Sequence, residues 1–139
     1  MIVPNPESWN EFAKDLAKHL SDGKIITLQG PLGAGKTTFV QSLAKELGAG
    51  ESPKSPTFSM MRIYAINHQN LRRLIHIDAY RIENEIDLMP LDLDEELSIP
   101  GTILLIEWPE QIPNWLATHP HTAITISIDG DGRRVEIAE

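Results

Sequence analysis

Apolar residues recur along the chain with two alternating periods, which predict helices and strands in turn. After Asn5, which suits the N-cap of a helix, apolar side chains return every three to four positions until Gly23. A β-branched run from Lys24 to Gln29 is typical of a buried strand, and a second helical pattern over residues 39–47 ends at Gly48. The apolar positions of the two helices are Trp9, Phe12, Ala13, Leu16, Ala17 and Leu20, then Phe39, Val40, Leu43, Ala44 and Leu47.

Strand patterns dominate the middle of the chain, after a predicted loop rich in Gly, Ser and Pro from Gly48 to Pro56. Phe58 to Ile66 and Leu71 to Tyr80 are predicted strands, and the polar residues Asn67 to Asn70 between them favour an antiparallel hairpin. The acidic, leucine-rich segment from Ile82 to Pro100 indicates no more than one or two short helical turns.

The last third of the chain carries further strand patterns. Thr102 to Ile106 is a continuous apolar run, as in parallel strands that are buried on both faces. The alternation in Thr122 to Asp129, followed by Gly130 and Arg133 to Ile137, predicts a closing hairpin. A length of 139 residues suits one domain. We therefore predict a single α/β domain whose mixed sheet has parallel core strands and antiparallel hairpins and is flanked by helices.

Composition and charge exclude several classes of function. The chain lacks cysteine, so it has no disulfide framework, cysteine zinc site or cysteine nucleophile. No apolar run approaches the roughly 18 residues of a membrane span and no secretory signal is present, so we expect a cytoplasmic protein without a membrane partner. A net charge of -8 argues against a general nucleic-acid binder. Ile82 to Gly132 contains no Lys or Arg, and we interpret its acidic stretch, Glu83 to Glu96, as a solvated face rather than a docking surface.

Residues Gly30 to Thr37, GPLGAGKT, match the phosphate-loop pattern GxxxxGK[ST] between a predicted strand and a predicted helix. Glycines permit backbone conformations in which successive N–H groups face an anion, and the helix N-terminus adds a favourable field. Lys36 would reach the β- and γ-phosphates, and the Thr37 hydroxyl would ligate magnesium. The predicted nucleotide-binding residues here are Gly30, Pro31, Leu32, Gly33, Ala34, Gly35, Lys36, Thr37 and Thr38. This motif predicts a P-loop NTPase.

Two carboxylates follow predicted strands and are candidates for the Walker B acid. Asp78 ends the pattern LIHID, and Glu107 ends ILLIE. Ligands of open α/β sheets bind at the carboxyl ends of strands, so either acid could hold magnesium or activate water. His76 and Tyr80 alternate with Asp78 and would share its face of the strand.

Residue chemistry alone does not decide between a functional and a structural role for Thr57 and Trp108. Ser55-Pro56-Thr57 lies where nucleotide switch proteins keep a hydroxyl that senses the γ-phosphate, yet such a turn is commonplace in plain loops. Trp108 directly follows Glu107 and could stack on a base, although core packing is the better explanation from the residues alone.

Four motifs, in order, resemble the TsaE family, also called YjeE: GPLGAGKT, KSPTF at Lys54 to Phe58, HIDAYR at His76 to Arg81, and IEWPE at Ile106 to Glu110. The resemblance extends from about Ser21 to Glu110. Members of this family are small bacterial P-loop ATPases needed for the threonylcarbamoyladenosine modification of tRNA. The family usually has a Pro-Glu-Glu-Leu-like helix after the third motif, where this chain has ENEIDLMPLDLDEEL.

The resemblance implies ATP and Mg²⁺ as cofactors and the TsaB and TsaD proteins as partners, with tRNA reached through their complex. It makes Thr57 a switch-like residue, Asp78 a magnesium-side acid and Glu107 the acid beside the γ-phosphate or its water. Trp108 becomes a neighbour of the nucleotide. The resulting catalytic candidates are Glu107, Asp78 and Lys36, and the candidate magnesium ligands are Thr37, Asp78 and Glu107.

Other nucleotide-dependent functions fit the sequence less well. A small P-loop kinase usually closes a lid with arginines over the transferred phosphoryl group, and Ile82 to Gly132 supplies none. A GTPase would need an Asn/Thr-Lys-x-Asp segment to recognise guanine, and the sequence has no such segment. A binding module with little hydrolysis stays open. We expect hydrolysis that is weak alone and raised by a partner that orders the segment at Thr57.

Overall fold

The computed structural model describes residues 2–50, 54–58 and 60–139, with the backbone alone for residues 54–58. The strands are β1 (Ile2–Val3), β2 (Ile25–Gln29), β3 (Lys54–Phe58), β4 (Met61–His68), β5 (Leu71–Asp78), β6 (Thr102–Glu107), β7 (Thr122–Asp129) and β8 (Gly132–Ala138). The α helices are α1 (Ser8–Ala17), α2 (Lys36–Glu46), α3 (Leu93–Ser98) and α4 (Pro113–Ala117), and 3₁₀ helices cover Glu85–Leu91 and Pro109–Gln111. None of the helices in these described ranges has both the length and the apolar character to cross a membrane.

All of these strands join one sheet in the order β1-β8-β7-β2-β6-β5-β4-β3. The four central strands β7, β2, β6 and β5 pair in parallel. Antiparallel strands extend the sheet on both sides, β4 and β3 beyond β5 and β8 and β1 beyond β7. The predicted α/β fold, with parallel core strands and antiparallel hairpins, is confirmed.

Apolar side chains cover both faces of the central strands. In β6, Ile103 and Leu105 pack in one cluster with residues of α1 and α2 such as Phe39. Leu104 and Ile106 point to the opposite face and pack with residues of the 82–116 segment. Alternate residues of a strand point to opposite faces, so the continuous apolar run in β6 serves both clusters.

The first helix begins later than its sequence predicts. Residues 5–7 form a turn, and helical geometry starts at Ser8. The Asn5 side chain still accepts a hydrogen bond from the Ser8 N–H (3.0 Å), as an N-cap residue would. Beyond Ala17 the chain tightens into i→i−3 bonds, and Leu20 stays buried outside the helix.

The strands around the predicted Gly48 to Pro56 loop also differ from expectation. The loop prediction is wrong at its end, because β3 already begins at Lys54 and pairs with β4. β4 begins at Met61 rather than Phe58, and β4 and β5 approach to within a two-residue turn at Gln69 and Asn70. β3 is the edge strand of the sheet, and the local pattern around a Ser-Pro pair does not reveal its pairing with β4.

Candidate functional site

The phosphate loop runs from the end of β2 to the start of α2, and two glycines give it its shape. Gly33 and Gly35 have φ values of +81° and +104°, in the left-handed region that residues with a Cβ rarely adopt. The Ala34 N–H donates to the Pro31 carbonyl oxygen at 3.1 Å, which closes a turn within the loop. Gly35 directly precedes α2, so the loop leads into a helix N-terminus, where anions are favoured.

Neighbouring residues pack tightly against two glycines of the loop. A Cβ on Gly30 would lie 2.6 Å from the Ile126 carbonyl oxygen of β7, and a Cβ on Gly35 would lie 3.0 Å from the Trp9 ring. Trp9 belongs to α1 and also packs 5.6 Å from Phe39 of α2, measured between ring centroids. The loop is therefore fixed from outside by β7 and α1.

Lys36 is the first residue of α2 and is held in a buried position, with 6% of its surface exposed. Its Nζ donates to the Gly30 carbonyl oxygen at 2.6 Å and lies 3.6 Å from the ring centroid of Trp108. Burial lowers the pKa of Lys36 below its ordinary value, and the nearby negative charges of Glu107, Glu110 and Asp78 partly oppose that shift. The ammonium group thus points at the loop that would hold phosphates.

Asp78 and Glu107 meet at the carboxyl ends of two neighbouring parallel strands. They are register partners in the β5–β6 pair, and the Ala79 N–H donates to the Glu107 carbonyl oxygen at 3.1 Å. Glu107 is buried with 5% of its surface exposed, whereas Asp78 is exposed. The Asp78 carboxylate is therefore solvated, and the Glu107 carboxylate is buried.

His76 is a further polar side chain at this edge of the sheet. Its Nε2 lies 2.8 Å from Glu107 Oε2, and both side chains are largely buried. The alternation of His76, Asp78 and Tyr80 predicts one shared face, and the contact identifies Glu107 as the partner of His76. Such a bond holds the carboxylate of Glu107 in one orientation.

Trp108 and Tyr80 form an aromatic wall beside the two acids. Trp108 has a φ of +61°, which turns the chain directly after β6, and its ring centroid lies 4.9 Å from that of Tyr80. Together with the phosphate loop they enclose a cleft of about 320 Å³. Its lining comprises Leu32, Gly33, Gly35, Lys36, Thr37, Thr38, Asp78, Tyr80, Glu107 and Trp108.

Most of the predicted site residues line this cleft, and the remaining ones lie outside its lining. Gly30, Pro31 and Ala34 do not line it. Gly30 instead accepts the Lys36 bond through its carbonyl, and Ala34 is fully buried. The switch-like role of Thr57 concerns a side chain outside the described residues, although the β3 backbone includes this position.

The cleft offers oxygen ligands from two carboxylates and the Thr37 hydroxyl. This donor set suits magnesium, a hard cation that binds few protein ligands and keeps much of its water shell. In the ranges 2–50, 54–58 and 60–139, no three His, Asp or Glu side chains converge as a complete metal cage. The donor set fits a magnesium ion that takes its remaining ligands from water.

Arg133 of β8 is a site-supporting residue that sequence reasoning missed. Its Nε donates to the Ala34 carbonyl oxygen at 3.0 Å, and one terminal nitrogen donates to the Gly33 carbonyl oxygen at 3.2 Å. These bonds fix two backbone carbonyl groups of the phosphate loop. Arg133 is 99 residues from Ala34 and 100 residues from Gly33 in the sequence. Only the arrangement of β8 beside the loop exposes this role, since nothing in a generic hairpin sequence signals it.

Comparison with known proteins places the chain in a family. A family model described as threonylcarbamoyl adenosine biosynthesis protein TsaE matches residues 3–136. The tRNA threonylcarbamoyladenosine biosynthesis protein TsaE of Bacillus subtilis is 37% identical over 130 residues, covering 94% of this chain and 78% of that protein. TsaE of Rickettsia bellii is 34% identical over 135 residues, covering 96% and 90%.

A solved structure agrees with these relatives. The crystal structure of Bacillus subtilis YdiB superposes with a TM-score of 0.74 at 30% identity, covering 97% of this chain and 80% of that chain. The resemblance that four short motifs predict thus extends over nearly the whole chain and over the fold. The chain belongs to the TsaE family.

Proposed function

We propose that this chain binds ATP with Mg²⁺ and hydrolyses it in support of the threonylcarbamoyladenosine modification of tRNA. One observation carries the proposal: the phosphate loop with Lys36 faces a cleft that also contains Asp78 and Glu107. A loop that only bound an anion would not require two carboxylates at the same cleft. Membership of the TsaE family supplies the biological process.

The residues of the cleft divide the work of phosphate hydrolysis. The loop backbone and Lys36 hold the phosphate groups and offset their charge. Thr37 and the solvated Asp78 would hold magnesium, which supplies further charge neutralisation when bound. Glu107, whose carboxylate contacts His76, would orient a water or take its proton. Trp108 lies over Lys36 and forms a wall of the nucleotide site.

The partners in this proposal are the TsaB and TsaD proteins, with tRNA reached through their complex. The family resemblance supports these partners, and hydrolysis would reset the complex rather than modify tRNA directly. We expect hydrolysis to be slow for the chain alone, because no Arg occurs between Ile82 and Gly132 to serve as an arginine finger. A partner that orders the segment at Thr57 would raise the rate.

Phosphate release measured with and without the TsaB and TsaD proteins tests the proposal. The expected result is a rate that rises when both partners are present, and equal, fast rates in both conditions would contradict it. Chromatography of the products separates hydrolysis from a kinase reaction, since hydrolysis gives only ADP and inorganic phosphate.

Two substitutions test the roles within the cleft. Lys36→Ala should abolish ATP binding in calorimetry, because the ammonium contacts the phosphates of bound ATP. Glu107→Gln should keep ATP binding and lose hydrolysis, because an amide orients much as a carboxylate does but takes no proton. Normal hydrolysis by Glu107→Gln would remove Glu107 from the mechanism, and ATP binding without hydrolysis in every condition would favour a nucleotide-dependent binding module. Lys45 is an exposed lysine on the same helix, so Lys45→Ala is the matched control for Lys36→Ala and should keep ATP binding.

A further inference from the structure

The 3₁₀ helix Glu85–Leu91 has apolar residues on two sides, and only one side is buried. Leu88 and Leu91 belong to the core, with 5% and 4% of their surfaces exposed. Ile86 and Met89 are 67% and 72% exposed. A 3₁₀ helix has three residues per turn, so side chains three positions apart stack on the same side. Ile86 and Met89 therefore form a continuous apolar strip facing solvent.

This strip borders a cleft of about 480 Å³ that lies apart from the nucleotide site and shares no lining residue with it. The cleft is formed by the 3₁₀ helix, the start of α3 and the start of α4, and Trp115 and Leu93 supply more apolar surface. Its walls are held in place, because the Glu85 carboxylate accepts the Asn114 and Trp115 N–H groups at 2.8 and 3.1 Å. The cleft is a preformed apolar groove.

The charged residues that line the groove are acidic. Glu85, Asp92 and Asp94 line it, and the sequence has no Lys or Arg from Ile82 to Gly132. Over the described part of the chain, the basic groups that pair with this segment are Arg73, with Glu96 at 2.7 Å, and His119, with Asp94 at 2.6 Å. Asp92 lies so close to Glu95 that its hydrogen bond and charge raise the pKa of Glu95. Most of the negative charge is thus left for a partner to offset.

We propose that the groove formed by Glu85–Asp94, Asn114 and Trp115 binds a basic amphipathic helix of a protein partner. Apolar side chains of that helix would enter the groove beside Ile86 and Met89, and its Lys or Arg residues would face the acidic rim. The acidic rim disfavours nucleic acid and anionic membranes, and the net charge of -8 disfavours a second copy of the chain. Under this proposal the stretch Glu83 to Glu96, for which the sequence predicts a solvated face, includes a docking surface.

A designed peptide provides the test, with the full chain as target. The probe is a fluorescent amphipathic helix of about 18 residues with Leu on one face and Lys and Arg on the other, and its binding is followed by anisotropy. A scrambled peptide of the same composition keeps the charge and loses the apolar face. We expect the scrambled peptide to bind about tenfold more weakly, and equal binding would show mere charge attraction and overturn the proposal.

Variants of the chain locate the binding surface. Ile86→Ser with Met89→Ser should weaken peptide binding about tenfold, because both side chains are exposed and their loss removes the apolar strip. Ile128→Ser with Ile137→Ser is the matched control, since these residues of β7 and β8 are 55% and 52% exposed, and it should leave the affinity unchanged. Unchanged binding by the first variant, or an equal loss in the control, would overturn the proposal.

Two further measurements complete the design. Glu83→Gln with Asp87→Asn removes two charges of the same acidic segment outside the groove lining, and it should weaken binding at low salt and reduce its salt dependence, since such charges act mainly through long-range attraction. In sedimentation the chain alone should be monomeric, and a dimer that the Ile86 and Met89 substitutions dissolve would assign the groove to a second copy instead. ATP binding by the groove variants should match that of the unaltered chain, so failure here is distinguishable from failure of the proposed ATPase function.

Discussion

Lys36 combines a functional position with an electrostatic cost. The charged form of a buried lysine is disfavoured, which is why the pKa of Lys36 lies below its ordinary value of 10.5. The Gly30 carbonyl and the face of Trp108 compensate only part of the lost hydration. An arriving triphosphate would offer this ammonium a stronger partner. The same burial that reduces stability therefore favours binding of an anion.

This cost predicts a pH dependence of stability. Between the lowered pKa of native Lys36 and the ordinary value of 10.5, the unfolded chain binds more protons than the native chain. The free energy of unfolding contributed by Lys36 therefore rises with pH through that interval. Lys36→Met removes the titrating group and with it the cost of burying a charge. The variant should therefore be more stable than the unaltered chain, by the largest margin at pH 7 and by a smaller margin towards pH 10. Urea unfolding of both proteins at the two pH values measures the difference, and a constant difference would contradict the prediction.

In the proposed mechanism, His76 acts through Glu107 rather than by touching the substrate. Its Nε2 contact at 2.8 Å fixes the carboxylate, so His76→Phe should leave Glu107 in place but free to rotate. We expect the rate of hydrolysis to fall about tenfold, with ATP affinity within about twofold, as for other residues that orient a functional group. Steady-state kinetics separate the two effects, and His76→Gln should recover part of the rate because its amide N–H can take the place of Nε2 and donate to Glu107.

A histidine remote from the cleft gives the control. His68 on β4 contacts the Ala17 carbonyl oxygen at 3.1 Å, so His68→Phe tests the general effect of replacing a partly buried histidine. Its rate should be unchanged. Loss of ATP affinity in His76→Phe, equal to the loss of rate, would instead point to a structural role for His76.

Strand β8 reaches the phosphate loop through Arg133, which donates to the carbonyl oxygens of Gly33 and Ala34. Hydrogen bonds from a charged donor contribute about 1.5–3 kcal/mol when well formed, so Arg133→Met should loosen the loop. We expect ATP to bind about tenfold more weakly while the circular dichroism spectrum is preserved. Arg134→Met is the control at the next position, since Arg134 pairs with Asp129 on the exposed side of the hairpin. Equal affinity losses in both variants would mean that net charge, not the loop contact, matters.

The contrast between Lys36 and Arg133 shows where sequence reasoning succeeds. The phosphate loop is a local feature, in which residues within one turn build the anion site, and Asp78 and Glu107 each end a recognisable strand pattern. The contacts of Arg133 and His76 depend on which strands become neighbours, and local periodicity does not contain that information. For the same reason the sequence does not predict β3, which is defined by its pairing with β4. The helix α4 is missed because its five residues are too few to show a helical period.

The fold as a whole is a sheet between two apolar clusters, and it makes a strong prediction about cooperativity. Leu105 belongs to the cluster shared with α1 and α2, and Leu104 to the cluster on the opposite face, yet both are fully buried in β6. If the chain is one domain, as its length predicts, neither cluster can melt without disrupting the strand that both of them use. Leu104→Ala and Leu105→Ala should each reduce the free energy of unfolding by about 2–5 kcal/mol.

Both variants should also unfold in one transition. Calorimetry is the decisive measurement, because a two-state transition requires the calorimetric enthalpy to equal the van't Hoff enthalpy. Ile137→Ala, at a half-exposed position of β8, should cost far less and serves as the control. A second transition in Leu104→Ala alone would mean that the segments 82–98 and 109–117, which flank β6 in the sequence, melt separately from the sheet. The groove around Ile86 and Met89 would then be a separately melting unit, with nucleotide binding retained by α2, β2 and the phosphate loop.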